Sequence, residues 1–242
     1  MDHVQNFIVR KAPSTAYYIP NFISEQEESY LIERVHNAPK PKWEQLSHRR
    51  LQNWGGTLGR KGLIVDADLP TWLKSCIDKI CQLPGSLFPE ESRPNHVLVN
   101  EYLAGQGIMP HVDGPMYYPV IATISLGGHI MLDMYNRSAE GGPVDSMESM
   151  AMTGSNGRAT KGQQNLIGSL LLQRRSLILI TNDLYNNFLH GIAERLQDTI
   201  TENIWNLDQC TGCHAGETID RSTRISLTIR NIPKVTYLTR RK

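Results

Sequence analysis

Residues 96–103, His96-Val97-Leu98-Val99-Asn100-Glu101-Tyr102-Leu103, begin a series of six short apolar or alternating runs that decides the fold. The other five are PVIATISLG (119–127), HIMLDMY (129–135), SLLLQ (169–173), SLILIT (176–181) and TRISLTIR (223–230). Each has the length of a strand rather than a helix, and Gly, Pro, Asn and Arg-rich turns bound them. Strands that follow one another without intervening helical patterns predict an antiparallel sandwich or barrel, with a jelly roll as the leading architecture, rather than a β-α-β sheet.

Upstream of this core the sequence is mixed. Tyr17–Ile23 reads as extended, and Ser24 with Glu27 three residues later forms a capping-box pattern for a helix running to about His36, stopped by Pro39 and Pro41. A second helix is expected over about Pro70–Leu83. The fold class is therefore mainly β with flanking helices, in a single domain over residues 1–242 whose core spans about 96–233. Residues 136–165 mix Gly, Ser, Thr, Asn and Met without a helical or strand period and read as a flexible insertion.

Composition bounds the function loosely. A chain of 242 residues, 40% hydrophobic, suffices for a buried core, and a formal net charge of +1 neither requires nor excludes a nucleic-acid partner. No apolar run approaches the roughly 20 residues that span a bilayer, and the opening MDHVQNFIVR lacks the pattern of a secretory signal. Four cysteines are too few for a disulfide scaffold at this length. A monomer without membrane contact, in cytoplasm and nucleus, is the expectation.

His111-Val112-Asp113 follows an apolar strand, and His190 ends the later run SLILITNDLYNNFLHGI. Alternate residues of an extended segment point the same way, so His111 and Asp113 can converge on one ion while His190 arrives from a neighbouring strand. Two imidazoles and a carboxylate leave coordination positions open, the arrangement of non-haem Fe(II) oxygenases. Taken alone, H-x-D and a distant His are more readily ordinary surface or core residues in a chain with eight histidines. A second element adds weight: Arg224 and Arg230 lie six positions apart in the last run, so an extended backbone turns both guanidiniums to one face. A pair of inward arginines is costly to desolvate unless it meets anions, and a dicarboxylate suits it. Asn100 and Tyr102 offer neutral donors on one face of their own strand.

Asn100-x-Tyr102, His111-x-Asp113, His190-Gly191 and Arg224-x5-Arg230 occur in the order found in AlkB-like dioxygenases, which the chain resembles from about residue 15 to 233, with stretches such as NHVLVNEYLAGQGIMPHVDGPMYYP close to one branch of that family. The resemblance implies a double-stranded β-helix core, Fe(II) as cofactor held by His111, Asp113 and His190, and 2-oxoglutarate and molecular oxygen as co-substrates. It implies oxidative demethylation, with Arg224 on the distal carboxylate of 2-oxoglutarate, helped by Asn100 and Tyr102, and Arg230 near the metal-proximal carboxylate or the substrate. It also implies that about residues 15–95 hold the N-terminal helices and a substrate lid.

That lid segment, residues 40–61, carries six basic side chains and one acidic one, interleaved with Trp43 and Trp54. Aromatics stack on bases while Lys and Arg meet phosphates, which suits single-stranded or flipped-out nucleic acid. Arg49, Arg50, Asn53, Trp54 and, beyond the metal motif, Tyr117 are the candidate substrate contacts. A solvated loop anchored by its tryptophans is the alternative. The chain departs from several repair members after H-x-D: Gly114-Pro115-Met116-Tyr117-Tyr118 lacks the acidic residue that reads a methylated base edge. This puts robust repair of DNA bases in doubt and leaves RNA, or a protein side chain, open. A nucleic-acid-binding protein with a weakly active core is the competing function. Finally, Cys210-Thr211-Gly212-Cys213-His214 has the haem-attachment spacing, but a loop of free thiols, or a zinc site completed by Cys76 or Cys81, fits the compartment better.

Overall fold

The computed structural model describes residues 2–65, 67–137 and 165–237, so most of the expected 136–165 insertion lies outside the described residues. The strands are β1 (Ala16–Ile19), β2 (Trp43–Leu46), β3 (Arg49–Trp54), β4 (Thr57–Gly59), β5 (Gly62–Val65), β6 (His96–Tyr102), β7 (Ile108–His111), β8 (Val120–Gly127), β9 (Ile130–Asn136), β10 (Leu166–Leu172), β11 (Leu177–Thr181), β12 (Phe188–Ile192), β13 (Gln197–Thr199), β14 (Thr218–Asp220), β15 (Arg224–Arg230) and β16 (Val235–Tyr237). The α-helices among the described residues are α1 (Glu25–His36), α2 (Thr71–Cys81) and the short α3 (Asn182–Asn186), besides four short 3-10 turns. None is long and apolar enough to cross a membrane.

A seven-stranded sheet, ordered β1-β11-β8-β15-β6-β3-β2, faces a four-stranded sheet, ordered β10-β9-β12-β7. All pairings within these two sheets are antiparallel, the jelly-roll arrangement that the six runs predict. Strand alternation divides the large sheet between two jobs. One face presents Val97, Val99, Ala122, Ile124, Leu126, Ile225, Leu227 and Ile229 to the core shared with Leu31 and Val35 of α1 and Trp72, Leu73, Ile77 and Ile80 of α2. The other face looks into the space between the sheets, where Ile121, Ile178 and Ile180 meet Leu132, Leu172 and Ile192 of the small sheet.

The helix that Ser24 starts is capped as its sequence predicts, with Ser24 Oγ accepting from the Glu27 amide at 3.1 Å and Glu27 Oε2 accepting from the Ser24 amide at 2.7 Å. After β11 the chain turns through α3, entered at Asn182 with φ 54°, a left-handed geometry that Asn tolerates, so His190 lies within the returning strand β12. One sequence reading needs correction. The basic segment 40–61 is not the solvated loop of the alternative reading. It forms β2 and β3, which extend the large sheet beyond β6, and β4, which pairs with β5. Gly55, at φ 100°, brings the chain so close to Asn95 that a Cβ would lie 2.2 Å from its carbonyl oxygen, so the Gly-Gly pair serves a tight approach.

Candidate active site

Between the two sheets lies a cavity of about 370 Å³. The small sheet supplies its imidazoles. β7 ends at His111, and β12 sets His190 directly opposite it in register, with ring centroids 4.5 Å apart. Asp113, two residues past the end of β7, brings Oδ2 within 3.4 Å of His190 Nε2. One ligand atom from each of these three residues lies within 4.8 Å of the others, the only such group among the described residues.

The protonation states suit a cation. His111 Nδ1 lies 2.8 Å from the Met109 carbonyl oxygen, which only accepts, so Nδ1 carries the proton and the Nε2 lone pair is available. Burial pushes His111 down to about 3, with His190 adding to the shift, and burial lowers His190 too, so both rings are neutral at physiological pH. For Asp113, burial works to raise the carboxyl, but Arg230 and the two histidines outweigh it and hold it below its usual range. Two neutral imidazoles and an ionised carboxylate are the donor set that a divalent cation needs, and they fit Fe(II).

The large sheet supplies the anion-binding wall. Arg224, Ser226, Thr228 and Arg230 alternate onto the cavity side of β15, and Leu98, Asn100 and Tyr102 do so on the adjoining β6. Both arginines are buried, and their strand is central in the sheet, so they do not form the solvated polar face of an edge strand. Arg224 donates to Ser125 Oγ at 2.9 Å through a terminal nitrogen, and burial lowers it to about 10, still charged at neutral pH. Arg230 reaches the metal-ligand end, 3.2 Å from Asp113 Oδ1, and donates to Tyr117 Oη at 2.6 Å. A guanidinium at each end of this wall matches a dicarboxylate.

The expected substrate contacts separate by face. Arg49 and Asn53 line the cavity together with Glu44, Leu46, Thr57 and Leu58. Arg50 and Trp54 do not line it, because alternate residues of β3 point the other way. Arg50 pairs with Glu101 and covers the Trp43 ring at 4.0 Å, whereas Trp54 packs edge-on against Trp72 at 5.7 Å, with Lys42 over its face. Tyr117 is buried behind Arg230 rather than exposed in the cavity. Ser125, Thr123 and Glu44 were not legible as site residues: a lone Ser, Thr or Glu in a strand carries no signal until the sheet register sets it beside an arginine or at a cavity wall. Cys76 and Cys81 lie on α2, while Cys210 and Cys213 pack against the cluster of Met131, Leu171, Ile200 and Ile204, so among the described residues the zinc site that would join these two groups does not form.

Residues 60–230, most of the chain and all of the metal and arginine motifs, match the family described as the 2OG-Fe(II) oxygenase superfamily. The chain belongs to this superfamily. Fe(II) is its cofactor and 2-oxoglutarate its co-substrate, and it is a dioxygenase. It is 46% identical to a zebrafish (Danio rerio) protein named "Probable RNA/DNA demethylase ALKBH6", over 96% of this chain and 92% of the relative, so the AlkB-like resemblance holds and its branch is that of the sixth homologue. Two solved oxygenase structures share the fold. OsALKBH1 superposes with a TM-score of 0.51 at 12% identity, covering 89% of this chain and 97% of that one. A 2OG-Fe(II) oxygenase family oxidoreductase from Burkholderia pseudomallei also gives 0.51, at 9% identity, covering 97% and 95%.

Proposed function

We propose that this oxygenase oxidatively removes methyl groups from RNA or DNA bases. The observation that carries the reading is the continuous cavity. It joins the His111, Asp113 and His190 cluster and the Arg224–Arg230 wall to Glu44, Leu46, Asn53, Thr57 and Leu58 of the basic N-terminal segment. The 46% identity to a probable RNA/DNA demethylase supports the substrate class.

In this reading His111, Asp113 and His190 hold Fe(II), Arg224 with Tyr102 and Asn100 takes the distal carboxylate of 2-oxoglutarate, and Arg230 sits at the metal-proximal end. The bound metal, with oxygen and 2-oxoglutarate, supplies oxidation of an alkyl C–H bond. The chain's own part is positional. Met109 fixes the His111 ring through Nδ1, and Arg230 keeps Asp113 ionised and oriented. Leu51, Leu98, Ile121 and Leu132 exclude water from the space where the methyl group must lie. Arg50 and Lys42, half-exposed on the helix side of the hairpin, are the cations that meet phosphates outside the cavity. The enzyme acts in this reading as a monomer in cytoplasm and nucleus, which sedimentation and cell fractionation test.

The test is iron-dependent succinate formation by protein stripped of metal and retitrated, with methylated and unmethylated single-stranded oligonucleotides and Arg224→Ala as control. Methyl loss coupled to succinate and absent from the variant supports the reading. Tight oligonucleotide binding without methyl loss favours the second reading, a nucleic-acid-binding protein with a weakly active core. The outward orientation of Arg50 and the missing acidic reader at Gly114–Tyr118 are what favour that alternative.

A further inference from the structure

β3 contributes a third buried arginine to the cavity. Arg49 is only 6% exposed, lines the cavity, and donates from Nε to Asn100 Oδ1 at 3.0 Å. The register pairs Arg50 with Glu101 and Leu51 with Asn100, so one further step sets Arg49 beside Tyr102, while β15 sets Arg224 on the other side of Tyr102. Arg49, Tyr102 and Arg224 thus form one row across three strands, with a phenol between two guanidiniums. Burial lowers both guanidiniums, and burial keeps the phenol between them protonated. Glu44, on the same cavity wall, offsets part of the desolvation cost of Arg49, and an anion on the row offsets that of both guanidiniums.

We propose that Arg49 is a positioning residue of the 2-oxoglutarate pocket and couples occupancy of that pocket to the order of the β2–β3 hairpin, rather than contacting nucleic acid. Two features give the mechanism. Because Asn100 Oδ1 accepts from Arg49, the amide is turned so that Nδ2, with its two N–H groups, is the end left for a carboxylate. The hairpin is already joined to β6 by its ladder over Arg50–Trp54 and by the Arg50–Glu101 pair, and to the small-sheet side by the exposed pair His48 Nδ1 to Glu194 Oε1 at 3.0 Å, of a kind worth about 0–1 kcal/mol. Arg49 adds a buried cavity-side contact at the turn end of that ladder, where the register stops at Arg50, so a carboxylate on the Arg49–Tyr102–Arg224 row tightens the start of β3 and the turn before it. Coupling of this kind is reciprocal, so a substrate that orders the hairpin tightens 2-oxoglutarate.

The inference rests on the assignment of this wall to 2-oxoglutarate, and its test separates the two. Calorimetry of 2-oxoglutarate binding to the full chain loaded with Mn(II) is combined with amide hydrogen exchange of residues 43–54, for wild type, Arg49→Ala and Arg49→Lys. Arg49→Ala is expected to weaken 2-oxoglutarate by about tenfold or more and to abolish the protection that 2-oxoglutarate confers on the hairpin. Arg49→Lys keeps the charge without the planar fork and is expected to recover only part of the affinity; it also serves if Arg49→Ala does not fold. Unchanged affinity in both variants overturns the inference alone. Weakened affinity with unchanged hairpin protection overturns the coupling. Failure of the wild type to bind 2-oxoglutarate removes the pocket assignment and the inference with it.

Discussion

His190 stands directly across the β7–β12 ladder from His111, ring centroids 4.5 Å apart, so the metal site depends on the pairing of two strands separated by nearly eighty positions in sequence. Neither ring alone makes a site, and Asp113 joins them only because the chain leaves β7 immediately after His111.

His111→Ala or Asp113→Ala is expected to lower iron affinity and 2-oxoglutarate turnover by more than about a hundredfold, since groups that merely orient a metal ligand are worth about 10–100-fold. Iron bound per chain, measured after equilibration and desalting, checks this. Full iron occupancy in either variant removes that residue from the ligand set.

Loss of the Arg224 guanidinium from its buried position beside Ser125 removes charge-assisted hydrogen bonds worth about 1.5–3 kcal/mol each. Arg224→Ala is expected to raise the KM for 2-oxoglutarate by about two orders of magnitude, with a smaller rise for Arg224→Lys. Steady-state kinetics with 2-oxoglutarate varied decides it; a KM unchanged in Arg224→Ala would place the distal carboxylate elsewhere.

His96 is fully buried beside Arg230 and Tyr117, and neither ring nitrogen has a hydrogen-bond partner among the described residues. Burial, with Arg230 assisting, pushes it down to about 3. A folded-state value below the unfolded value of about 6.5 means that the unfolded chain binds the proton first, so stability is full above about pH 6.5 and declines as pH falls toward 3. His96→Leu is expected to cost little at pH 8 and to reduce the loss between pH 7.5 and 5 by at most about 2 kcal/mol. His111 and His190 contribute with the same sign in metal-free protein, so the readout is the difference between wild type and variant in urea unfolding at the two pH values. Parallel pH profiles would show that His96 is not buried neutral.

Trp54 and Asn53 are neighbours with opposite expected phenotypes. Trp54→Ala removes the edge contact with Trp72 and is expected to destabilise the fold by about 2–4 kcal/mol without a specific change in substrate KM. Asn53→Ala, at the cavity wall, is expected to raise the substrate KM with the melting temperature nearly unchanged. Thermal melts alongside kinetics separate the two, and the reverse pattern would mean that β3 presents its other face to the substrate.

Much of this was legible in the residues. All six runs read as strands became β6, β8, β9, β10, β11 and β15, and the cap at Ser24 formed as written, because alternation and capping are local properties that neighbouring residues settle. The spacing of Arg224 and Arg230 likewise fixed that they share a face, since an even step along a strand admits nothing else.

What the sequence could not determine is which face looks inward, and beside what. Arg49 and Arg50 are adjacent, basic and equivalent on paper. Pairing of β3 with β6, and the packing of α1 and α2 on one side of that sheet, sends Arg49 into the cavity and Arg50 out to Glu101. The partners that give Ser125, Asn100 and Tyr102 their roles come from strands distant in the chain, so their significance exists only once the sheet has closed. Local sequence sets the period of each strand; the burial of one face against helices and the other against a second sheet sets its phase, and that phase decides which side chains reach the site.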